Sequence, residues 1–492
     1  MHNYILGIDL GTGSTKAVAI DFNGQPLNVS QHYYPVKNPQ PGRVEQDPEL
    51  ILEAFYNCVA DSVAKIGYAP QALSFSSAMH SLIPVDGEGK LLADMITWAD
   101  ARSEAYAEKL RFSTDGPAIY RTSGTPVYAM SPLTKLMWMR DNQPELFNQA
   151  HKFIGIKEYI WFRLFGEFEV DYSIASASGL FDIKNLQWNP RALDLAGITA
   201  DKLSKPVDTI HYRKNINTDT ARLLNIDPQT PCVIGAGDGC CANLGSFVLT
   251  PDVASLTIGT SGAVRVTSPT PVYNDEAMIF NYMLDSQTFC SGGAVNNGGI
   301  ALQWLISTFL NKPRPGHAEY DEVFKQAETV TAGSDALLFL PYLNGERAPL
   351  WDTKASGTFF GIRLAHTQAH FLRAGIEGIC YALHDVLQII EQSSVSVKRV
   401  NISGGFISSP LWTQILADIL GKQLVIVQQE DASALGAIFL AVRALDLPQT
   451  IMQPPAGEKV VIEPNSDTHA VYQQQFVRFK KLYKQLKNLI DE

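Results

Sequence analysis

Each half of the chain opens with the same local grammar, an apolar strand that ends in a glycine-rich turn and doubles back. Tyr4 to Leu10 reads as a buried strand, Gly11-Thr12-Gly13-Ser14 as a tight turn, and Lys16 to Asp21 as the returning strand. Asn23-Gly24 then turns the chain into a third strand, the strongest short-range hairpin signal. Val253 to Ile258, Gly259-Thr260-Ser261-Gly262 and Ala263 to Thr267 repeat the pattern. Two such hairpins predict two α/β domains of similar fold facing each other. Gly245 and Pro251-Asp252 interrupt an apolar stretch, which places the boundary near 245–252 and the domains at 1–247 and 248–492. A length of 492 residues suits two or three domains, and 46% hydrophobic with 18% charged residues describes a folded chain with a large core.

Between the hairpins the apolar spacing is helical. Pro48 to Ala64 carries Leu50, Ile51, Ala54, Phe55 and Val59 on one face behind Asp47-Pro48. Helices are also predicted over 131–139, 156–164, 300–310, 367–392, 409–420 and, as a solvated cover, 468–490. The six cysteines include the adjacent Cys240 and Cys241 and form neither a disulfide framework nor a metal-ligand pattern. Unpaired thiols predict a reducing, cytoplasmic setting. Neither a targeting segment nor an uncharged run of about 20 residues is visible, so no membrane is expected. A net charge of −11 without a basic tract excludes a general nucleic-acid binder, though not anionic small ligands.

Six segments carry residues suited to chemistry. In Asp9-Leu10-Gly11-Thr12-Gly13-Ser14-Thr15-Lys16, backbone N–H groups and hydroxyls can form an anion nest, with Asp9 placed to hold a hydrated Mg²⁺. The spacing is not that of a Walker A loop, and an ordinary hairpin with an Asx turn is the alternative. The second hairpin supplies a second nest, and two nests can clamp the phosphates of one nucleotide. Ser403-Gly404-Gly405-Phe406-Ile407-Ser408-Ser409 lies between a strand and a helix, where an adenine could rest against backbone with Phe406 as a wall. A plain strand-to-helix turn reads nearly as well. Asp238, in Gly235-Ala236-Gly237-Asp238-Gly239, is either a general base or the N-cap of a following helix. Met79-His80 and Trp98-Ala99-Asp100-Ala101-Arg102 offer apolar faces and directional hydrogen bonds for a sugar. His80 reads equally as a satisfied core histidine.

Together these residues resemble the FGGY carbohydrate kinase family of the actin-like ATPase superfamily. The resemblance runs from Gly7-Ile8-Asp9-Leu10-Gly11-Thr12 through Val44-Glu45-Gln46-Asp47-Pro48, Trp98 to Arg102, Asp171-Tyr172-Ser173, Gly237-Asp238 and Gly259 to Gly262. It continues through Gln303-Trp304, Gly404-Gly405, Trp412, Ala417-Asp418 and Gly436-Ala437. It implies two actin-like (ribonuclease H-like) domains, each a mixed sheet flanked by helices, with a cleft between them. It further implies ATP and Mg²⁺, Asp238 as catalytic base and Asp9 as the metal-associated carboxylate. Thr12, Gly13, Ser14, Gly259 and Thr260 match the phosphate-binding turns, with Lys16 counted beside them. Gly299, Gln303, Gly405 and Ser409 match positions around the adenosine, and Met79, His80 and Met130 match sugar-lining positions. Phe406 stands where the family often has glycine, a departure shared with a gluconokinase-like subgroup.

Phe75 to Ser81, Ile156 to Ile160 and Val170 to Ala177 are likewise similar to gluconate kinases of this family. The resemblance therefore implies phosphorylation of a terminal hydroxyl of a sugar acid, D-gluconate to 6-phosphogluconate. His80, Arg102 and Lys135 are the candidates to hold the carboxylate. The alternatives are a xylulokinase or other pentulose kinase, an actin- or chaperone-like ATPase switch, and a non-catalytic sugar sensor. A homodimer fits the resemblance.

Overall fold

The computed structural model describes residues 3–393, 395–427, 431–453 and 460–491. The first hairpin forms as the sequence predicts. Strand β1 (Tyr4–Leu10) pairs antiparallel with β2 (Ser14–Asp21), and β2 with β3 (Pro26–Tyr33). Strand β4 (Ala72–Ser77) joins β1 in parallel. Beyond it lie β5 (Tyr212–Arg213) and β6 (Cys232–Gly237), giving the order β5-β6-β4-β1-β2-β3. The second half repeats the plan with β7 (Val253–Ile258), β8 (Gly262–Ser268), β9 (Phe289–Val295), β10 (Arg399–Ser403), β11 (Gln423–Ile426) and β12 (Val461–Ile462). Six of the seven strands of this sheet run in the order β9-β8-β7-β10-β11-β12, with β7/β8 antiparallel and β7/β10 and β10/β11 parallel. Read from the opposite edge, those six repeat the strand order of the first sheet.

The predicted amphipathic helices appear as Pro48–Ile66, Pro132–Asn142, Ile156–Phe165, Gly299–Phe309, Gln368–Gln392, Pro410–Leu420 and Ser466–Asp491. The chain forms two compact units, and neither is a continuous segment. The first unit takes residues 1–247, 268–290 and 429–456; the second takes 248–267, 291–428 and 457–492. The chain passes from the first unit to the second at 247/248, and two later segments return to the first unit. The physical reason lies in the helix Ala432–Ala444, which is buried from Ala434 through Val442. It packs so closely on the first unit that a Cβ at Gly436 would lie 1.9 Å from the Cys241 carbonyl oxygen. Among the described residues no helix is long and apolar enough to cross a membrane. All six cysteines are buried and free.

Candidate active site

Alternation along β1 decides which side chains meet. Tyr4, Leu6, Ile8 and Leu10 enter one core with the helix Pro48–Ile66, while Ile5 enters the opposite core with Val18 and Ile20. Gly7 and Asp9 continue the Ile5 row. Register sets Lys16 across from Asp9 on β2 and Ser76 beside it on β4. The helix Ala432–Ala444 covers this face and begins with Asp431 at its N-cap. Lys16 Nζ donates to Asp431 Oδ1 at 2.6 Å, and Ser76 Oγ donates to Asp9 Oδ1 at 2.8 Å.

Asp238 arrives on the same face. Strand β6 ends at Gly237, whose N–H donates to Ser173 Oγ at 3.0 Å. Gly237 is the N-cap of the helix Asp238–Gly245, so Asp238 is the first helical residue and not the cap. Its Oδ1 accepts the Gly239 N–H at 2.7 Å. A carboxylate in the first turn of a helix is favoured by the helix dipole. Burial pushes the Asp9 carboxyl up to about 6, and the Asp238 charge adds to the rise; Ser76 and Lys16 oppose it. Asp9, Asp238, Asp431 and Lys16 thus leave a surplus of negative charge in one place. No group of three or more His, Cys, Asp or Glu residues among the described ones is arranged to hold a metal. Magnesium needs less: it keeps several waters and takes one or two carboxylates plus substrate phosphates, which Asp9 beside Asp238 fits.

Met79 packs on the same strand end, since a Cβ at Gly237 would lie 2.5 Å from Met79 Sδ. Met79 also lines a narrow pocket of about 10 Å³ with Thr12, Gln46, Ser81, Thr97 and Trp98, where Trp98 Nε1 donates to Thr12 Oγ1 at 2.9 Å. In the first turn Gly13 is exposed, and Ser14 Oγ accepts from Gln31 Nε2 at 2.8 Å. His80 is buried, its Nδ1 2.9 Å from the Ala177 carbonyl and its Nε2 3.2 Å from the Tyr282 hydroxyl. That is the arrangement of a satisfied core histidine. Met130 is buried ahead of the helix Pro132–Asn142 and does not line this pocket.

The candidate carboxylate-binding cations are already engaged. Arg102 lies 2.7 Å from Asp100 and 2.5 Å from Glu45, and it stacks 5.1 Å from the Trp138 ring centroid. Lys135 is fully buried and donates to the carbonyls of His80 (2.6 Å) and Thr97 (2.7 Å). It braces the two segments that carry Met79 and Trp98. Burial pulls its ammonium down to about 7, against the attraction of Asp100.

The second unit contains a cavity of about 430 Å³. Gly259, Thr260, Gly299, Gln303 and Gly405 all line it, joined by Phe406 and Trp412, whose rings meet edge-on at 5.7 Å. Gly259 and Thr260 are exposed on their turn. Their carbonyls accept the N–H groups of Gly299 (2.7 Å) and Ile300 (3.1 Å), tying the turn to the start of the helix Gly299–Phe309. Gly404 has φ +110° and passes so close to β7 that a Cβ would lie 2.3 Å from the Ile258 carbonyl oxygen. Ser409 does not line the cavity: it is buried, and its hydroxyl caps the helix Pro410–Leu420 by accepting the Trp412 N–H at 3.2 Å. Ser408 lines it instead.

Sequence reasoning missed His317, Tyr320, Asp321 and Phe324, which line the cavity from the helix His317–Glu328. The available signal was Pro313-Arg314-Pro315-Gly316 followed by Glu319, whose carboxylate accepts the Gly316 N–H at 2.8 Å. A Cβ at Gly405 meets nothing within 4 Å, so Gly405→Val should fold normally while filling cavity space. We expect it to weaken a ligand seated in this cavity about tenfold or more while the urea unfolding midpoint stays unchanged, read by titration calorimetry and denaturation.

The N-terminal domain of the FGGY family of carbohydrate kinases matches residues 4–245, and the C-terminal domain of that family matches 254–445. A gluconokinase of Bacillus licheniformis is 42% identical over 455 residues, covering 90% of this chain and 88% of that one. A crystal structure of gluconate kinase from Lactobacillus acidophilus superposes with a TM-score of 0.93 at 34% identity, covering 99% of this chain and 98% of that one. A ligand-bound xylulose kinase from the same organism gives the same four values: 0.93, 34%, 99% and 98%.

Proposed function

We propose that this chain, which belongs to the FGGY family of carbohydrate kinases, phosphorylates a terminal hydroxyl of D-gluconate at the expense of ATP. Membership makes it a carbohydrate kinase. The observation that carries it is the strand end at Gly237, where Asp238 starts a helix, Met79 packs on the glycine and Asp9 feels the Asp238 charge. That arrangement sets a base beside an apolar wall and a cation-seeking carboxylate. The 42% identity to a gluconokinase supports the choice of gluconate. Six buried, unpaired cysteines support a reducing, cytoplasmic setting.

In this reading Asp238 accepts the hydroxyl proton as the sugar oxygen attacks the γ-phosphorus in line. The transition state is loose, so placement and charge stabilisation matter more than base strength. Asp9 would hold a hydrated magnesium ion, which supplies charge neutralisation at the phosphates when bound. Lys16 and the turn at Thr12, Gly13 and Ser14, with that at Gly259 and Thr260, contact phosphate. Gly299, Gln303, Gly405, Phe406 and Trp412 take the adenosine in the cavity of the second unit. Met79 takes a C–H face of the sugar.

A xylulokinase is the second reading, and one observation favours it. Arg102 is matched by Asp100 and Glu45, and Lys135 is fully buried on two carbonyls, which leaves neither placed to greet a substrate carboxylate. Coupled ADP release with Mg-ATP separates the readings across D-gluconate, D-xylulose, L-ribulose, glycerol and no sugar. Strong stimulation by gluconate alone is the expected result. Stimulation by D-xylulose instead replaces the substrate while keeping the mechanism, and equal turnover without sugar points to an ATPase switch.

A further inference from the structure

We propose that Asp431 is a positioning residue that draws the Lys16 ammonium away from Asp9 and so keeps the Asp9 carboxylate open to the divalent cation of the nucleotide. The proposal rests on the reading of Asp9 as the metal-associated carboxylate. Asp9 and Lys16 are direct cross-strand partners on β1 and β2. Opposite charges so placed attract each other, and a lysine stem is long enough to close the gap. The structure pairs them otherwise. Among the described residues Lys16 forms its ion pair with Asp431 at 2.6 Å, while Asp9 receives the Ser76 hydroxyl at 2.8 Å.

Asp431 can hold the ammonium because its own position is fixed. It stands at the N-cap position of the helix Ala432–Ala444, which is seated tightly against backbone at two points. A Cβ at Gly7 would lie 2.3 Å from the Ala434 carbonyl oxygen, and one at Gly436 would lie 1.9 Å from that of Cys241. The helix therefore cannot shift toward Lys16, and the lysine reaches to the helix. The pair is partly exposed, with side chains 30% and 15% accessible, so an arriving phosphate can still contact the ammonium. Without the Asp431 charge, the carboxylate facing Lys16 across the strands is Asp9. An ammonium there occupies the place a cation needs.

Asp431→Asn is the test, because it removes the charge at constant size and the Asp431 side chain makes no capping hydrogen bond that could be lost. Mn²⁺ serves as the probe, its binding to the ADP complex read by electron paramagnetic resonance. Asp431→Asn should weaken Mn²⁺ binding about tenfold. The double variant Lys16→Met/Asp431→Asn should bind Mn²⁺ as well as Lys16→Met alone, since no ammonium remains to compete. A merely structural role for Asp431 predicts no such rescue. Unchanged Mn²⁺ affinity in Asp431→Asn, or a double variant as weak as Asp431→Asn, overturns the proposal. Asp9→Asn run alongside separates the two levels. Loss of Mn²⁺ binding there with none in Asp431→Asn removes only the role of Asp431, whereas intact binding in Asp9→Asn removes the metal reading and this proposal together.

Discussion

Asp238→Asn should fold as the parent does and lose about 10²–10⁴-fold in kcat for sugar-dependent ADP release, with both KM values little changed. Three features separate chemistry from structure at this position. The helix cap is Gly237, so the substitution removes no cap. The side-chain carbonyl of asparagine can still accept the Gly239 N–H that Asp238 Oδ1 takes at 2.7 Å. Removing the charge also relieves Asp9, whose carboxyl is held up partly by Asp238. What asparagine cannot do is accept the proton of an attacking hydroxyl. Loss confined to kcat marks an interaction made only in the transition state. Wild-type turnover in this variant would remove Asp238 from the role of base and leave the reading of the second unit's cavity unaffected.

The strands and two-faced helices were legible because their patterns are local. The Asn23-Gly24 turn and the two glycine-rich turns announce hairpins, and the helix Pro48–Ile66 shows a polar and an apolar face. The helix Ala432–Ala444 escaped notice because burial along Ala434 to Val442 leaves it no polar face to supply a period. Missing it also hid Asp431, which reaches Lys16 across 415 residues of sequence, and the return of residues 429–456 to the first unit. Lys135 and Arg102 were legible as cations but not as engaged ones, since their partners Thr97, His80 and Glu45 lie far along the chain. At Ser408-Ser409 the order of two like residues decides which lines the cavity and which caps a helix, and only the backbone fixes that.

Behind the strand end that carries Asp238 lies a pair whose loss should cost more than any surface change. Lys157 Nζ and Asp171 Oδ2 stand 2.6 Å apart with side chains 3% and 0% exposed, a contact of charges and not a well-directed hydrogen bond. Asp171 caps the short helix Tyr172–Ala177 by accepting the Ile174 N–H at 3.0 Å, and Ser173 of that helix accepts the Gly237 N–H. Lys157→Met should lower the unfolding free energy by about 3–5 kcal/mol, because it strands a carboxylate in the core. Lys157→Met/Asp171→Asn should recover most of that loss, since asparagine keeps the cap and no charge remains buried. The sign with pH follows from Asp171, whose carboxyl burial already raises while Lys157 opposes the rise. Without Lys157 it rises further, and an acid whose folded pKa exceeds its unfolded one destabilises the fold only when ionised. The deficit of Lys157→Met should therefore shrink as pH falls from neutrality toward the ordinary carboxylate range, as read from urea midpoints. A variant that unfolds at the parental midpoint at neutral pH would mean the core tolerates the lone carboxylate, and the double variant would then show no recovery.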